Sequence, residues 1–203
     1  MATINGSSLA FISSVTDDAT TEFNGAVEIA TATIGGTTYV YVGGLDDDGI
    51  EVLTLDVTGT LTPVGRVSDV NLTALSTVYG VKAFEVGGNT FVATAGRSDD
   101  GISVFQATDG APYLTLADSA FLTNDASFNL NDPFNIEVVT TGSGTFLYVA
   151  GRTSDGVSVF SVSSAGALSN VQNVDDDATF NLNGAVDVTY FERNGTDYLV
   201  VGG

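Results

Sequence analysis

The sequence predicts an all-β protein, a β-propeller built from about four four-stranded blade repeats of about 53 residues. Three observations lead to this prediction. The chain repeats itself, each repeat contains four short strand-like runs, and the polarity of these runs rises from the second to the fourth.

The internal repeat is visible by eye. One segment occurs as TTYVYVGGLDDDGIEVLTL, NTFVATAGRSDDGISVFQA and GTFLYVAGRTSDGVSVFSV, and it begins again as TDYLVVGG. Its glycine anchors recur after 52, 55 and 52 residues, at Gly44, Gly96, Gly151 and Gly203. A second segment recurs after 54, 55 and 50 residues, at Val27, Val81, Ile136 and Val186. Such a fixed period indicates a repeat architecture.

Each repeat contains four runs of strand character, which we label A to D. In the first repeat they cover residues 27–32, 39–42, 50–56 and 61–67. Run B is apolar on both alternations, which predicts a strand covered on both faces. Run D is the most polar and contains Pro63, which an edge strand tolerates because it needs no N–H there. Radial blades with a solvent-facing outer strand account for this gradient.

The repeats divide the single domain 1–203 into units 24–75, 76–130 and 131–182, with 183–203 and 1–23 forming a split blade. An offset of 159 residues places Leu9 on Leu168 and Val15 on Val174, so the first residues align with strands C and D. Such a split removes exposed sheet edges. Three arrangements are consistent with a split blade: a four-bladed ring in one chain, an eight-bladed ring of two chains, or the start of a longer protein.

These residues resemble the lactonase-like, YVTN-type bacterial β-propeller repeats, which also occur in large secreted proteins of the repeats-in-toxin kind. The resemblance rests on the patterns Gly-Ala-Val, Tyr-Val-x-Gly-Gly, Asp-Asp-Gly-Ile-x-Val-Phe and Gly-x-Leu, and it covers nearly the whole chain. It implies the propeller fold. For the enzymes of this group, it implies hydrolysis or isomerisation of a lactone at the mouth of the central channel.

The chain carries 25 acidic and five basic residues, a formal charge of −20. This charge repels phosphate backbones and anionic membranes, so we expect no nucleic-acid partner. No apolar run is long enough to span a membrane, and the first eight residues do not form a secretory signal. The charge favours cationic or metal-bridged surface partners.

Up-and-down blades place the B-to-C and D-to-A links at one end, and these links with the adjoining strand ends hold sixteen of the 25 acids. Clustered carboxylates suit Ca²⁺, which is the cofactor that this acidic face favours. The alternative is that the acids cap turns and keep the protein soluble. The candidate metal ligands are Asp46, Asp47, Asp48, Asp99, Asp100, Asp155, Asp175, Asp176 and Asp177.

A second candidate site lies in strand A, the innermost strand. Glu28, Lys82, Glu137 and Asp187 align in one column, which predicts a charged ring that lines the channel. Arg97 and Arg152 follow strand B in two repeats and could neutralise this ring. The alternatives are a binding site in the channel mouth and a set of structural ion pairs.

The chain contains no histidine, no cysteine and no Gly-x-Ser-x-Gly nucleophile motif, so the chemistry of many hydrolases is missing. The absence of these groups favours a non-catalytic extracellular or cell-surface module for adhesion or matrix assembly, without a signal peptide. We expect it to act as a homo-oligomer or beside further propeller repeats. The alternative is a small-molecule or carbohydrate-binding propeller with lactonase-like hydrolase ancestry.

Overall fold

The computed structural model describes residues 2–5, 8–70 and 72–203. Met1, Gly6, Ser7 and Asn71 lie outside the described residues; the split-blade prediction includes the first three. None of the described residues forms a helix, so no membrane-spanning helix is found among them. The all-β prediction is confirmed.

Three four-stranded antiparallel sheets form the body of the protein. Blade 1 contains β3 (Ala26–Ile34), β4 (Thr37–Gly44), β5 (Gly49–Leu55) and β6 (Leu61–Ser68). Blade 2 contains β7 (Val78–Val86), β8 (Asn89–Gly96), β9 (Gly101–Ala107) and β10 (Leu114–Thr123). Blade 3 contains β11 (Pro133–Thr141), β12 (Gly144–Gly151), β13 (Gly156–Val162) and β14 (Leu168–Asp175). The four strands of each blade pair in chain order, as predicted for strands A to D.

Two hairpins flank these blades. At one end β1 (Ala2–Asn5) pairs with β2 (Ser8–Phe11), and at the other β15 (Asp187–Arg193) pairs with β16 (Thr196–Gly202). By the repeat, the first hairpin corresponds to strands C and D and the last to strands A and B. Within the described residues the two hairpins do not pair with each other. The split blade and the closure of the ring therefore stay predictions.

The blades pack face to face through their inner strands. β3 packs on β7, β7 on β11, and β11 on β15. Two apolar clusters fill the spaces between blades, with Tyr41, Val81 and Phe105 between blades 1 and 2, and Phe91 and Phe160 between blades 2 and 3. Strand B is buried on both faces, as its sequence predicted. β8 lies between two neighbouring blades, whereas β4 lies between blade 2 and the side chains of Val15 and Phe23.

The outer strands are the polar ones. β6 is paired on one side only, and Pro63 lies where a bulge interrupts its pairing with β5. This position confirms the edge-strand interpretation of Pro63, since proline cannot donate a hydrogen bond to a further strand.

Candidate functional site

A β-bulge lies near the start of the inner strand in blades 2 and 3. The register of β7 against β8 skips one residue between Val78 and Gly80, and that of β11 against β12 skips one between Pro133 and Asn135. The extra residues are Tyr79 and Phe134. A bulge leaves its extra residue unpaired and turns the side chain away from the regular alternation. Here the two rings meet, with centroids 4.5 Å apart.

Two guanidinium groups lie over these rings. Arg97 directly follows β8, and its Cζ atom lies 5.2 Å from the centroid of Tyr79 and 4.9 Å from that of Phe134. Arg152 directly follows β12 and lies 5.0 Å from the Phe134 centroid. Arginine favours such positions because its weakly hydrated planar cation interacts with the face of an aromatic ring.

The carboxylate of Asp132 joins the two arginines. Arg97 Nε donates to one carboxylate oxygen and Arg152 Nη2 to the other, and Thr153 Oγ1 donates at 3.3 Å. The hydrogen bond to Asp132 raises the pKa of Arg97, so this group stays charged. We call Tyr79, Arg97, Asp132, Phe134 and Arg152 the arginine cluster.

The arginine cluster combines a buried carboxylate with partly exposed cations. The Asp132 side chain is largely buried, whereas those of Arg97 and Arg152 are 29% and 41% exposed. Each guanidinium has five N–H donors, and its contact with Asp132 uses only one. The remaining donors can bind an anionic or hydroxyl-rich ligand at the inner ends of blades 2 and 3.

Blade 1 lacks this arrangement. Val27 occupies the bulge position and Leu45 follows β4, where the other blades have an aromatic ring and an arginine. The sequence had indicated Arg97 and Arg152 as neutralising groups but not Tyr79, Asp132 or Phe134 as their partners. An aromatic residue before Gly80 and Asn135 was the available signal.

The predicted channel column is not one row in the structure. Strand register places Glu28 level with Gly80 and Asn135, whereas Lys82 and Glu137 lie two residues further along their strands. The reason lies in the motifs that were aligned. In blade 1 the motif Gly-Ala-Val lies two residues further from the hairpin turn than the matching motifs of blades 2 and 3 lie from theirs. Asp187 lies at the same level as Glu28. The alignment of these four residues as one ring was therefore wrong.

The column residues nevertheless make contacts between blades. Lys82 Nζ lies 3.3 Å from Glu28 Oε1, which joins blades 1 and 2. Glu137 Oε1 accepts a hydrogen bond from the backbone N–H of Tyr190 at 3.4 Å, which joins blade 3 to β15. These contacts fit the structural alternative, and a role in lining a channel stays a prediction.

The B-to-C turns place their last aspartate against the next blade. Asp48, Asp100 and Asp155 all have a left-handed backbone, with φ of 54°, 50° and 50°. Each carboxylate accepts a backbone N–H at 2.7 Å from the link that enters the following blade, at Thr77, Asp132 and Gly184 respectively. We call these three aspartates the clasp aspartates.

Other predicted metal ligands also bind backbone groups. Asp47 accepts from Asn24 N and Asp99 from Ser76 N, both at 2.8 Å. Burial, together with the nearby charges of Asp69 and Asp48, raises the pKa of Asp99, although its hydrogen bond from Ser76 opposes this.

Each member of the exposed acidic run of Asp175 to Asp177 accepts a hydrogen bond. Asp175 accepts from Asn129 Nδ2, Asp176 from Leu182 N, and Asp177 from the N–H groups of Thr179 and Phe180. The two backbone bonds lower the pKa of Asp177. No three acidic side chains among the described residues gather around one point as metal ligands would. Calcium binding stays a prediction.

One cleft lies beside a residue that differs from its equivalents in the other blades. Strand C carries Ser103 and Ser158 in blades 2 and 3, and each hydroxyl accepts an N–H from the preceding link. In blade 1 the equivalent residue is Glu51, whose Oε2 accepts from Glu22 N at 3.0 Å. Burial raises the pKa of Glu51, although the bond from Glu22 and the charge of Arg66 oppose this.

The cleft beside Glu51 has a volume of about 430 Å³. Its lining includes Val15, Asp18, Thr20, Glu51, Val64 and Arg66. Arg66 Nε lies 3.7 Å from Glu22 Oε1, so cationic and anionic groups both stand at this cleft. Carboxylates, hydroxyls and short apolar side chains together suit a hydroxylated small molecule.

No family model matches the chain, and no curated protein matches it. Solved structures do match. A protein assigned as a 6-phosphogluconolactonase from Bacteroides uniformis is 19% identical, with a TM-score of 0.57 over 84% of this chain and 51% of that one. The periplasmic gluconolactonase of Pseudomonas aeruginosa is 19% identical, with a TM-score of 0.53 over 79% and 44%.

An exo-β-1,3-galactanase from Phanerochaete chrysosporium is 12% identical, with a TM-score of 0.58 over 87% of this chain and 43% of that one. The chain therefore spans about half the length of these proteins. At such low identity the likeness shows the fold. This chain is an array of β-propeller blades.

Proposed function

We propose that this protein binds an anionic sugar derivative, such as an aldonate or a phosphorylated sugar lactone, at the arginine cluster. The observation that carries the proposal is the convergence of Arg97 and Arg152 on the aromatic pair at the inner ends of two blades. The lactonase resemblance implies a ligand site at the channel mouth, which is where inner strands end.

The chemistry of the cluster favours binding over hydrolysis. Guanidinium groups recognise carboxylates and phosphates through paired N–H donors, and partial burial strengthens such contacts. Asp132 is the one carboxylate in the cluster, and each of its two oxygens already contacts an arginine. A general base needs a free acceptor within reach of its proton. We therefore expect no turnover of simple lactones, and turnover that disappears on neutralising Glu28 or Glu137 would contradict this.

The test is isothermal titration calorimetry with 6-phosphogluconate, gluconate and neutral glucose. Arg152→Gln keeps a planar polar side chain and leaves the Arg97 contact with Asp132, so the variant is expected to fold. Binding of 6-phosphogluconate should weaken about 10-fold or more, since a hydrogen bond to a charged group contributes about 1.5–3 kcal/mol. Arg193→Gln is the matched control, because Arg193 is an exposed arginine at the end of β15 and belongs to neither candidate site.

Two outcomes would overturn the proposal. One is equal binding of glucose and 6-phosphogluconate, since the charge of the ligand would then contribute nothing. The other is an equal loss of affinity in Arg152→Gln and Arg193→Gln, which would place the ligand elsewhere or reflect net charge alone.

The cleft beside Glu51 supports a second candidate, the binding of a neutral carbohydrate. The supporting observation is a glutamate in the position that serine occupies in the other blades. Glu51→Ser restores the repeat pattern, so the variant should fold and lose binding of a β-1,3-linked galactose oligosaccharide. Unchanged binding would remove this candidate. Surface adhesion, an extracellular location and calcium dependence stay predictions from the sequence.

A further inference from the structure

Two equivalent grooves run between complete blades, one between blades 1 and 2 and one between blades 2 and 3. Each lies where the C-to-D turn of one blade meets the outer strands of the preceding blade. The groove between blades 1 and 2 has a volume of about 230 Å³. The groove between blades 2 and 3, which we call the outer groove, has a volume of about 370 Å³. The repeat therefore leaves more space at the second position than at the first.

Two contacts of the blade 2 turn close the groove between blades 1 and 2. The ring of Tyr113 packs on β6, since a Cβ on Gly65 would lie 2.5 Å from Tyr113 Cδ2. The hydroxyl of Tyr39 donates to Asp109 Oδ1 at 2.6 Å. The turn of blade 3, residues 163–167, is one residue shorter and contains no aromatic residue. The equivalent of Tyr39 is Phe91, which has no hydroxyl to donate, so neither contact recurs in the outer groove.

A wide bulge of β10 forms one wall of the outer groove. The outer strands of blades 1 and 3 each bulge by a single residue, Val64 and Val171. At the same level of blade 2 the register moves from Leu116 to Phe121, so residues 117–120 lie opposite one residue of β9. Bulges occur next to binding sites because they redirect side chains, and insertions in one repeat commonly lie on a binding face. The bulge contributes Ala117 and Asp118 to the lining of the outer groove.

The opposite wall is the turn of blade 3, and contacts with blade 2 hold it in place. A Cβ on Gly166 would lie 2.5 Å from Phe91 Cε1 and 2.9 Å from Ala117 Cβ, so the turn packs directly on β8 and on the bulge. Asn89 Nδ2 donates to the carbonyl oxygen of Ser164 at 3.2 Å. Walls that are already ordered reduce the entropy that ligand binding costs.

One residue of the outer groove departs from the hydrogen bonding of the repeat. Its equivalents in blades 1 and 3 are Thr54 and Ser161, whose hydroxyls donate to carbonyl oxygens of strand D at 3.5 Å and 3.3 Å. In blade 2 the residue is Gln106, which is exposed and lines the groove. Its carboxamide makes no hydrogen bond to the protein within the described part of the chain. Gln106 therefore has both donors and acceptors available for a ligand.

The polar lining of the outer groove suits a neutral, hydroxyl-rich ligand. It combines the carboxamides of Asn89 and Gln106 with the carboxylate of Asp118 and the hydroxyl of Ser164. These groups donate to and accept from sugar hydroxyls. No lysine or arginine belongs to the described lining, so an anionic ligand would meet Asp118 without a compensating cation.

We propose that the outer groove binds a hexose unit of a neutral oligosaccharide. Its volume lies within the range of about 300–1,000 Å³ that is usual for small-molecule sites. Leu116 and Ala117 supply apolar surface for the C–H groups of the sugar ring. Asn89 begins β8 and Arg97 follows it, so eight residues of extended strand separate the outer groove from the arginine cluster by roughly 25 Å. The two sites are therefore independent of each other.

The test is isothermal titration calorimetry with three neutral disaccharides, cellobiose, maltose and lactose. At least one of them should bind, and Gln106→Ala should weaken its binding by about 3- to 10-fold through the loss of a hydrogen bond. Ala165→Tyr should abolish binding, because a ring on this turn would fill the outer groove as Tyr113 fills the neighbouring one. Both substituted positions are exposed, so circular dichroism should show folded variants. Thr54→Ala is the matched control, since Thr54 is the equivalent of Gln106 in blade 1, and it should leave binding unchanged.

Two further variants separate this site from the candidate sites described above. Arg152→Gln and Glu51→Ser should both leave disaccharide binding unchanged, because neither residue lines the outer groove. The proposal is refuted if none of the three disaccharides binds, or if Gln106→Ala and Thr54→Ala weaken binding equally. A loss in Arg152→Gln or Glu51→Ser as large as that in Gln106→Ala would also refute it, since the sugar would then bind at another site.

Discussion

Substitution of the clasp aspartate Asp48 tests whether the acidic turns hold the blades together. Asp48→Ala removes the acceptor for Thr77 N at 2.7 Å and for Ser76 Oγ at 3.2 Å. Loss of a hydrogen bond to a charged group costs about 1.5–3 kcal/mol, and alanine tolerates a left-handed backbone less well than aspartate, by up to about 1 kcal/mol. The free energy of unfolding should therefore fall by about 3 kcal/mol.

Asp48→Asn separates the hydrogen bond from the charge. Asparagine keeps an acceptor oxygen and tolerates the left-handed backbone, so its cost should be about 1 kcal/mol. For a chain of this size each kcal/mol lowers Tm by roughly 2–4 °C, which predicts about 6–12 °C for alanine and about 2–4 °C for asparagine. Scanning calorimetry measures these shifts.

Asp46→Ala is the control, because Asp46 is exposed on the same turn and no hydrogen bond to its side chain is found in the described part of the chain. It should change stability by less than about 0.5 kcal/mol. A loss of stability in Asp48→Asn as large as that in Asp48→Ala would refute the hydrogen-bonding role of Asp48, since charge alone would then matter. A loss in Asp48→Ala no larger than that in Asp46→Ala would refute it as well.

The remaining predictions concern pH, packing and calcium. Burial raises the pKa of Glu51 above its ordinary 4.5, so the folded state holds a proton that the unfolded chain releases, and stability should fall as pH rises above about 4.5. Glu51→Gln should remove this fall in urea titrations at several pH values, and an unchanged pH profile would contradict it. Phe160→Ala should lower the free energy of unfolding by about 3–5 kcal/mol, since Phe160 is fully buried between blades 2 and 3; a loss below about 1 kcal/mol would contradict the packing. Millimolar Ca²⁺ should raise Tm more than NaCl of matched ionic strength does. Substitution of Asp46, Asp47 and Asp48 by Asn should reduce this difference. Identical melting curves in the two salts would exclude specific calcium binding.

Strand positions and blade order could be predicted because they depend on short-range patterns. Run B was apolar on both alternations, and β4 and β8 are buried on both faces. The polar run with Pro63 became edge strand β6. These features follow from burial and from the N–H that proline lacks, which are properties of a residue and its immediate neighbours.

The candidate site was predicted only in part. Arg97 and Arg152 stood out in the sequence as rare cations after strand B, but their partners Asp132 and Phe134 lie on a different link and strand. The channel column was misaligned because a similar motif, Gly-Ala-Val, stands at two different distances from the hairpin turn. Hairpin register depends on the turn and not on the motif.

The repeat in the sequence was sufficient by itself to determine a propeller, because every blade must present the same apolar faces to its neighbours. Only the tertiary structure decided what the repeated positions do. The clasp aspartates and the arginine cluster depend on contacts between blades, where groups about 30 residues apart in the chain meet. A sequence repeat specifies equal residues, whereas burial depends on which blade stands beside them.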